Sequence, residues 1–454
     1  MRPMTLSELQ VPLQAQLTGG DREILRVSTD SRSLQQGDLF VALSGEHYDG
    51  HDYVAQVGDA GAAAAVVSHL VDAPLPQLCV TDTRQALGRL GGHNRQLFSG
   101  TLVAITGSSG KTTVKNMVEA VLSQRGKTLA TQGNFNNEIG VPLTLLRLEP
   151  GVDYAVVEMG AARAGDIAWL CELGRPSVAL LLNALPAHLQ GFGSVGAVAM
   201  AKGEIFDGLG KDDFAIINAD QSWAADWRVR AGDATVLDFG LEKPAAISAS
   251  TVCCRGIEGI SFIALTPAGD SPIHLALPGE HNVANALAAI AVGLACELSL
   301  AQIRDGLESV RPVAGRLLPS KSRAGVTVID DCYNANPGSV RAAINVLACC
   351  VGGRTLILGA MGELGDTSEI LHREMGDYAR AAGIEQLWGV GPELQAAVAA
   401  FGAGGRLFAD CAAVLASLEG EFGSVDTVLV KGSRSARMEK VLQALLADHG
   451  LGVD

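Results

Sequence analysis

Residues 101–122 read TLVAITGSSGKTTVKNMVEAVL. An apolar run, TLVAIT (101–106), meets Gly107-Ser108-Ser109-Gly110-Lys111-Thr112-Thr113. Beyond that turn, Val114, Met117, Val118, Val121 and Leu122 fall at i, i+3, i+4, i+7 and i+8. The first pattern is a buried strand and the second is one face of a helix. Glycines in the turn let backbone N–H groups come close to a polyphosphate, and the helix N-terminus favours its negative charge. Lys111 is placed to reach terminal phosphates and the Thr112 hydroxyl to bind Mg²⁺. The standard form of this loop has glycine where Ile105 stands, so this is a shortened variant.

Similar apolar runs lie on both sides. DYAVVEM (153–159), SVALLLN (177–183) and DFAIIN (213–218) read as strands buried on both faces. Upstream are GDLFVAL (37–43), AAAAVV (62–67) and PQLCV (76–80), then a helix around Arg84–Phe98. Downstream are VTVIDD (326–331), TLILGAM (355–361), QLWGVG (386–391) and TVLVKG (427–432). Strands alternating with helical patterns predict α/β layers with parallel sheets. Pro312, Gly315 and Pro319 in RPVAGRLLP (311–319) punctuate the chain as a linker does. With 454 residues the chain has room for three domains. The expected division is 1–83, 84–312 and 313–454: an N-terminal α/β domain, a central phosphate-loop ATPase-like parallel sheet, and a C-terminal Rossmann-like α/β domain.

Composition narrows the function classes. Hydrophobic residues make 48% and charged residues 18%, as in a globular protein. A net charge of −15 opposes binding to nucleic acid or to an anionic membrane surface. At 4% aromatics, a stacking platform for single strands is not expected either. No apolar run approaches the roughly 18 residues of a membrane span, and MRPMTLSELQ lacks the pattern of a secretory signal. Nine cysteines without a CxxC are read as reduced thiols of a cytoplasmic protein, most of them small core residues.

Candidate ligand residues sit where α/β sheets gather them, at the carboxyl ends of strands. Glu158 ends DYAVVE and is placed to hold a metal beside the loop. His188 follows the next strand in ALPAHLQGFGS, and Lys202 lies in AMAKGEIFDGL. Taken singly, Glu158 is as often a satisfied strand-end carboxylate, and His188 and Lys202 are most often solvated side chains.

Together these segments resemble the Mur ligase family, the ATP-dependent amide-forming ligases of bacterial cell-wall precursor synthesis. The resemblance rests on GSSGKTT, the Glu of EMG, the His of AHL, the Lys of AKGE, HNVANALAA (281–289), Arg316 of AGRL and DDCYNANP (330–337), in the family's order along the whole chain. NNEIGVPLTLLRL (136–148), AKGEIFDGL (201–209), DDCYNANPGSV and VKGSRSARMEKV (430–441) are closest to the members that add D-alanyl-D-alanine to a UDP-N-acetylmuramoyl tripeptide. Cys332 stands where Ser is expected.

The resemblance implies a reaction and roles. ATP and Mg²⁺ activate the tripeptide carboxylate as an acyl phosphate, and the dipeptide amine then attacks. Lys111, His188 and Lys202 are the implied catalytic residues. Gly107 to Thr113 hold the phosphates, Thr112 and Glu158 one metal, and His188 and Lys202 a second. Lys202 is expected as a carbamate, because an ammonium repels a cation. Asn282 and Asn285 contact the base and Asp331 the ribose, while Arg316 reaches the phosphates when the domains close. Asn334, Asn336, Lys431 and Arg434 face the substrates, with Arg437 beside them; a dipeptide carboxylate is the anion that suits this basic cluster. STDSRSLQQGDLFVALSGEHYDGHDYV (28–54) resembles the family's uridine-binding stretch, with Ser31, Arg32, Gly45 and His47 as its contacts. Otherwise His47 and His51 are read as surface residues. Asn134, Asn136 and Asn137 are assigned to the sugar or peptide. The expected partners are these small molecules, and the expected state is a monomer. Two rivals are a family ligase adding a single amino acid and a phosphate-loop nucleotide switch. Whether the tripeptide ends in diaminopimelate or lysine is open.

Overall fold

Thr101–Thr106 is buried on both faces because Leu102 and Ala104 point to one side and Val103 and Ile105 to the other. A computed structural model describes residues 1–45, 47–186, 189–418 and 420–447 of the chain, apart from the side chain of Leu189. In it this strand lies inside a six-stranded parallel sheet. The order is Thr235–Phe239, Phe214–Asn218, Val178–Leu181, Thr101–Thr106, Tyr154–Glu158 and Thr128–Ala130. Helices Lys111–Leu122, His281–Ala295 and Leu300–Ser309 cover one face. Gly140–Leu145, Asp166–Gly174 and Val195–Gly203 cover the other. Parallel strands need such crossovers, and their helices bury both faces.

A second six-stranded sheet is built by Leu318–Lys321, Thr327–Asp331, Thr427–Lys431, Arg354–Gly359, Gln386–Val390 and Gly405–Phe408. All its neighbours are parallel except the first pair. The segment expected as a linker therefore passes directly into an edge strand at Leu318, where Pro319 is tolerated. A five-stranded sheet near the start orders Gln16–Thr18, Gln77–Cys79, Ala64–Val67, Asp38–Val41 and Arg26–Ser28.

The strands expected from long apolar runs all form. The unexpected ones are short, at edges, or antiparallel. Ser248–Cys254, Ile260–Thr266 and Gly269–Leu275 make a three-stranded antiparallel sheet. Its inward residues Ile260, Phe262, Ala264, Ile273 and Leu275 alternate with exposed or half-buried ones and join the core of the His281–Ala295 helix. All nine cysteines are free, but only Cys171, Cys296 and Cys332 are buried. That corrects the expected core role for most of them. Cys253 and Cys254 end an edge strand, and Cys349 caps a helix.

Helix Thr83–Gln96 joins the first sheet to the central one. Ala86, Leu87 and Leu90 enter the first core. A Cβ on Gly91 would lie 2.8 Å from Pro142 Cα, so glycine lets the two backbones touch. Buried Asn94 donates through Nδ2 to the carbonyls of Leu145 at 2.8 Å and Leu148 at 2.9 Å. Asn94→Ala leaves both carbonyls without that donor. It is expected to lower unfolding free energy by about 1–3 kcal/mol, measured by urea denaturation.

Candidate active site

The carboxyl ends of the central and C-terminal sheets face each other across a cavity of about 550 Å³. Its floor is the phosphate loop. Gly110 has φ +84°, and a Cβ there would meet Asn285 Oδ1 at 2.9 Å, so both backbone and space demand glycine. The N–H groups of Ser108 and Ser109 donate to Asn183 Oδ1 at 3.0 and 2.9 Å. Among the described residues, the N–H groups of Gly110, Lys111, Thr112 and Thr113 have no acceptor and face the cavity, as the first turn of a helix requires. Lys111 Nζ donates to the Gly107 carbonyl at 2.8 Å. Burial pushes its ammonium down, and the Glu158 charge pulls it partly back.

Beside the loop, Thr112 Oγ1 donates to Glu158 Oε2 at 2.8 Å, and Asn136 Nδ2 donates to Glu158 Oε1 at 2.8 Å. The Glu158 backbone N–H donates to Thr131 Oγ1 at 3.0 Å, and Lys115 Nζ donates to the Thr131 carbonyl at 2.8 Å. Glu158 is thus fixed at its strand end. A hydroxyl and a carboxylate side by side are hard oxygen donors suited to Mg²⁺, which takes the rest of its shell from phosphate oxygens and water. Arg316 crosses the seam between the sheets. Its guanidinium donates to Thr112 Oγ1 at 2.9 Å and lies 4.3 Å from the Tyr333 ring centroid. Its contact with the loop thus exists in this arrangement of the two units.

Lys202 is 1% exposed and lines the same cavity. Among the described residues its Nζ makes no hydrogen bond, and burial followed by the Lys111 charge brings its ammonium down to about 7. Glu204, two residues on, accepts from the N–H groups of Gly165 at 2.9 Å and Ala168 at 3.1 Å, capping the Asp166–Gly174 helix. His188 lies outside the described residues.

On the opposite wall, Lys431 Nζ reaches Asp331 Oδ2 at 2.5 Å and the Asn334 carbonyl at 2.9 Å. Burial raises the Asp331 carboxyl, against the pull of Lys431. Asp330 turns away and holds the Gly315 and Cys332 N–H groups at 2.7 and 3.1 Å. Asn285 Nδ2 donates to Asn282 Oδ1 at 2.9 Å, and Asn282 Nδ2 donates to the Pro278 carbonyl at 2.8 Å.

Not every expected residue arrives here with a free side chain. Asn336 Oδ1 accepts from the Ser339 N–H at 2.8 Å and caps a helix. Asn137 Oδ1 does the same for Gly140 at 2.9 Å. Asn134 is exposed at the cavity rim. Arg434 and Arg437 are exposed and do not line the cavity, because the chain turns outward after Lys431. Ser31, Arg32, Gly45 and His47 belong to the first unit and lie outside this cavity. Arg32 pairs with Asp30 at 2.8 Å, and that guanidinium holds the Asp30 carboxyl at about 2. Arg84 links the two regions, donating to Glu138 at 3.2 Å and to the Ser44 carbonyl at 3.4 Å. His51, expected at the surface, is 5% exposed. Its Nδ1 meets Asp49 at 2.6 Å and its Nε2 accepts from the Ser68 N–H at 2.9 Å, so it is a bracket of the first unit.

His281 and Asn183 are among the cavity and loop residues that went unassigned in the sequence. His281 opens the helix of HNVANALAA and faces the cavity. Burial and the Lys431 charge bring it to about 4, so it is neutral. Asn183 is the polar residue closing SVALLLN, next to the loop strand in the sheet. That placement was its signal.

Residues 105–293 match the Mur ligase middle domain, 315–434 the Mur ligase glutamate ligase domain and 23–95 the Mur ligase family catalytic domain. The UDP-N-acetylmuramoyl-tripeptide--D-alanyl-D-alanine ligase of Escherichia coli K12 is 46% identical over 447 residues, covering 98% of this chain and 99% of that one. MurF from Acinetobacter baumannii superposes with a TM-score of 0.93 at 36% identity, covering 98% and 99%. MurF ligase from Thermotoga maritima, in complex with ADP, gives 0.82 at 28% identity, covering 92% and 96%.

Lys431→Met leaves Asp331 buried without its cation and is expected to cost about 3–5 kcal/mol. Adding Asp331→Asn should return part of that loss in a urea-denaturation double-mutant cycle. His281 is held below its ordinary 6.5 at about 4. Between those values the unfolded chain binds a proton that the folded state does not, so stability falls as pH falls from about 6.5 to about 4. His281→Gln is expected to flatten that part of the slope when denaturation midpoints are compared with the parent's.

Proposed function

The chain belongs to the Mur ligase family, and from that premise we infer that it adds D-alanyl-D-alanine to UDP-N-acetylmuramoyl tripeptide in peptidoglycan precursor synthesis. It is an ATP-dependent, ADP-forming amide ligase. The observation that carries the reading is one cavity in which an unpartnered row of loop N–H groups, the Thr112–Glu158 pair and Arg316 converge.

A carboxylate is a poor acyl donor, because oxide would have to leave. Transfer of the γ-phosphoryl group makes an acyl phosphate, which the neutral amine of the dipeptide attacks, and phosphate departs. Two anions must first approach each other, so catalysis rests on positioning and charge stabilisation. The N–H groups of Gly110–Thr113 bind the polyphosphate, and Lys111 exchanges the Gly107 carbonyl for a phosphate oxygen. Thr112 and Glu158 would hold Mg²⁺, which when bound screens the phosphate charge. Arg316 gives up Thr112 for a phosphate and so ties the C-terminal unit to bound nucleotide. Asn282 and Asn285 receive the base and Asp331 the ribose. Lys431 serves the dipeptide carboxylate, with Asn334 and Asn336 framing that wall.

Lys202 acts as a carbamate in this reading. An amine brought to about 7 is partly neutral under ordinary conditions, which is the form that adds carbon dioxide. The product is anionic and, with His188, would hold a second cation near the acyl group. The UDP end lies on the first unit, at Ser31, Arg32, Gly45 and His47, and the muramoyl peptide reaches the cavity past Asn134, Asn136 and Asn137. Arg84 joins these two stretches, which supports one substrate spanning them. The same reading divides the chain near residues 83 and 312 and makes it a cytoplasmic monomer. Among the described residues no helix is long and apolar enough to cross a membrane.

The test is phosphate release from ATP and Mg²⁺, with and without UDP-muramoyl tripeptide, adding D-alanyl-D-alanine or single amino acids. Release is expected to require both tripeptide and dipeptide, with an amide product of matching mass. Release with a single amino acid on a shorter precursor would move the step within the family. Release indifferent to acceptors would overturn ligation. Lys202→Ala is expected to lower turnover by more than about 100-fold, and unchanged turnover would remove the carbamate.

A further inference from the structure

After Val178–Leu181 the chain continues as Leu182-Asn183-Ala184-Leu185. Its backbone is tied on both sides of Asn183. The Leu182 N–H donates to the Thr106 carbonyl at 3.0 Å, and Asn218 Nδ2 donates to the Leu182 carbonyl at 2.8 Å. The Ala184 N–H donates to Gln221 Oε1 at 3.0 Å. The Asn183 side chain is therefore aimed rather than free.

It is aimed at the phosphate loop. Asn183 Oδ1 accepts from the Ser108 N–H at 3.0 Å and the Ser109 N–H at 2.9 Å, while Nδ2 donates to the Ser109 carbonyl at 3.1 Å. The Asn183 carbonyl also accepts from the Ser108 N–H at 3.0 Å. A second clasp lies beside it. The Leu185 N–H donates to Ser108 Oγ at 3.0 Å, and Ser108 Oγ donates to the Leu185 carbonyl at 3.3 Å.

We infer that Asn183 is a positioning residue that sets the shape of the shortened loop and divides its N–H groups between protein and substrate. Only Gly107 to Gly110 separate strand from helix, so the turn has few backbone acceptors of its own. Without the Asn183 side chain, the Ser109 N–H would be left unpaired or would compete for the anion in another geometry, and the Ser108 N–H would keep only the Asn183 carbonyl. One amide oxygen satisfies both. The groups left over, Gly110 to Thr113, are those that the helix itself cannot pair. The Ser108–Leu185 clasp ties the same loop to the segment just past the Val178–Leu181 strand. Polyphosphate position and that segment are thereby held in one frame. Aspartate at 183 would keep the acceptors, lose the donor to Ser109 and add a negative charge beneath the phosphates.

This inference rests on the loop binding nucleotide. The test measures ADP and Mg–ATP affinity by calorimetry, KM for each of the three substrates, and melting temperature, in the parent, Asn183→Ala and Asn183→Asp. Asn183→Ala is expected to weaken ADP binding and raise KM for ATP by about 10–100-fold, with KM for tripeptide and dipeptide within about twofold. Asn183→Asp is expected to melt close to the parent yet bind ATP more weakly than Asn183→Ala does, a split that a purely structural role would not produce. Nucleotide affinity unchanged in folded Asn183→Asp would overturn the inference, whether or not Asn183→Ala folds. So would equal rises in all three KM values. A parent that binds no ADP would overturn the nucleotide reading itself, and this inference with it.

Discussion

The N–H groups of Gly110, Lys111, Thr112 and Thr113 point out of a first helical turn whose geometry denies them a carbonyl. In most helices a side chain or water answers that demand. Here the residue before the helix is a glycine in a left-handed conformation, with no side chain to cap it. The apolar strand feeding the loop is locked between two parallel neighbours, so the turn cannot drift. The result is a fixed row of donors that an anion completes. Much of what surrounds the cavity is arranged about that row. Glu158 and Thr112 stand at its edge, Arg316 comes down onto it from the other sheet, and Asn183 closes it from beneath.

Charge at the seam sets a second constraint. The cavity collects Lys111, Lys202, Arg311, Arg316 and Lys431 against Glu138, Glu158, Asp166 and Asp331. Burying such groups is costly, and each is handled differently. Lys431 pairs with Asp331, Arg316 stacks on Tyr333, and Lys111 rests on a backbone carbonyl. Lys202 answers by losing its preference for the charged form. A site prepared to meet two anionic substrates is therefore rich in cations whose present partners can be exchanged. Positive charge costs folding stability here and serves electrostatic stabilisation later.

Much of this was legible in the residues, and the omissions have physical causes. Long apolar runs buried on both faces announce themselves by composition, so the strands carrying the loop, Glu158, Asp331 and Lys431 were readable. Thr128–Ala130 and Thr235–Phe239 are edge strands, and the antiparallel Ser248–Leu275 hairpins alternate too softly to stand out. Among site residues, those within the loop were visible because their spacing is the chemistry. Asn137 and Asn336 show the opposite case, since asparagine before a helix is as good a cap as a ligand. Arg434 shows a third: its place in a basic cluster says nothing about which way the chain turns after the strand.

What the sequence alone determined is local: strand, loop, helix, the glycine that lets the backbone turn, and the acid at a strand end. Backbone sterics and hydrophobic period act over a few residues, and they leave a readable trace there. What only the tertiary structure decided are the pairings. Arg316 and Thr112 are 204 residues apart, Lys431 and Asp331 100, and Asn183 and Ser108 75. None of these has a spacing that sequence could carry. Each exists because two sheets order their strands so that carboxyl ends meet across one cavity, and burial there forces every polar group to find a partner, a substrate or a changed protonation state.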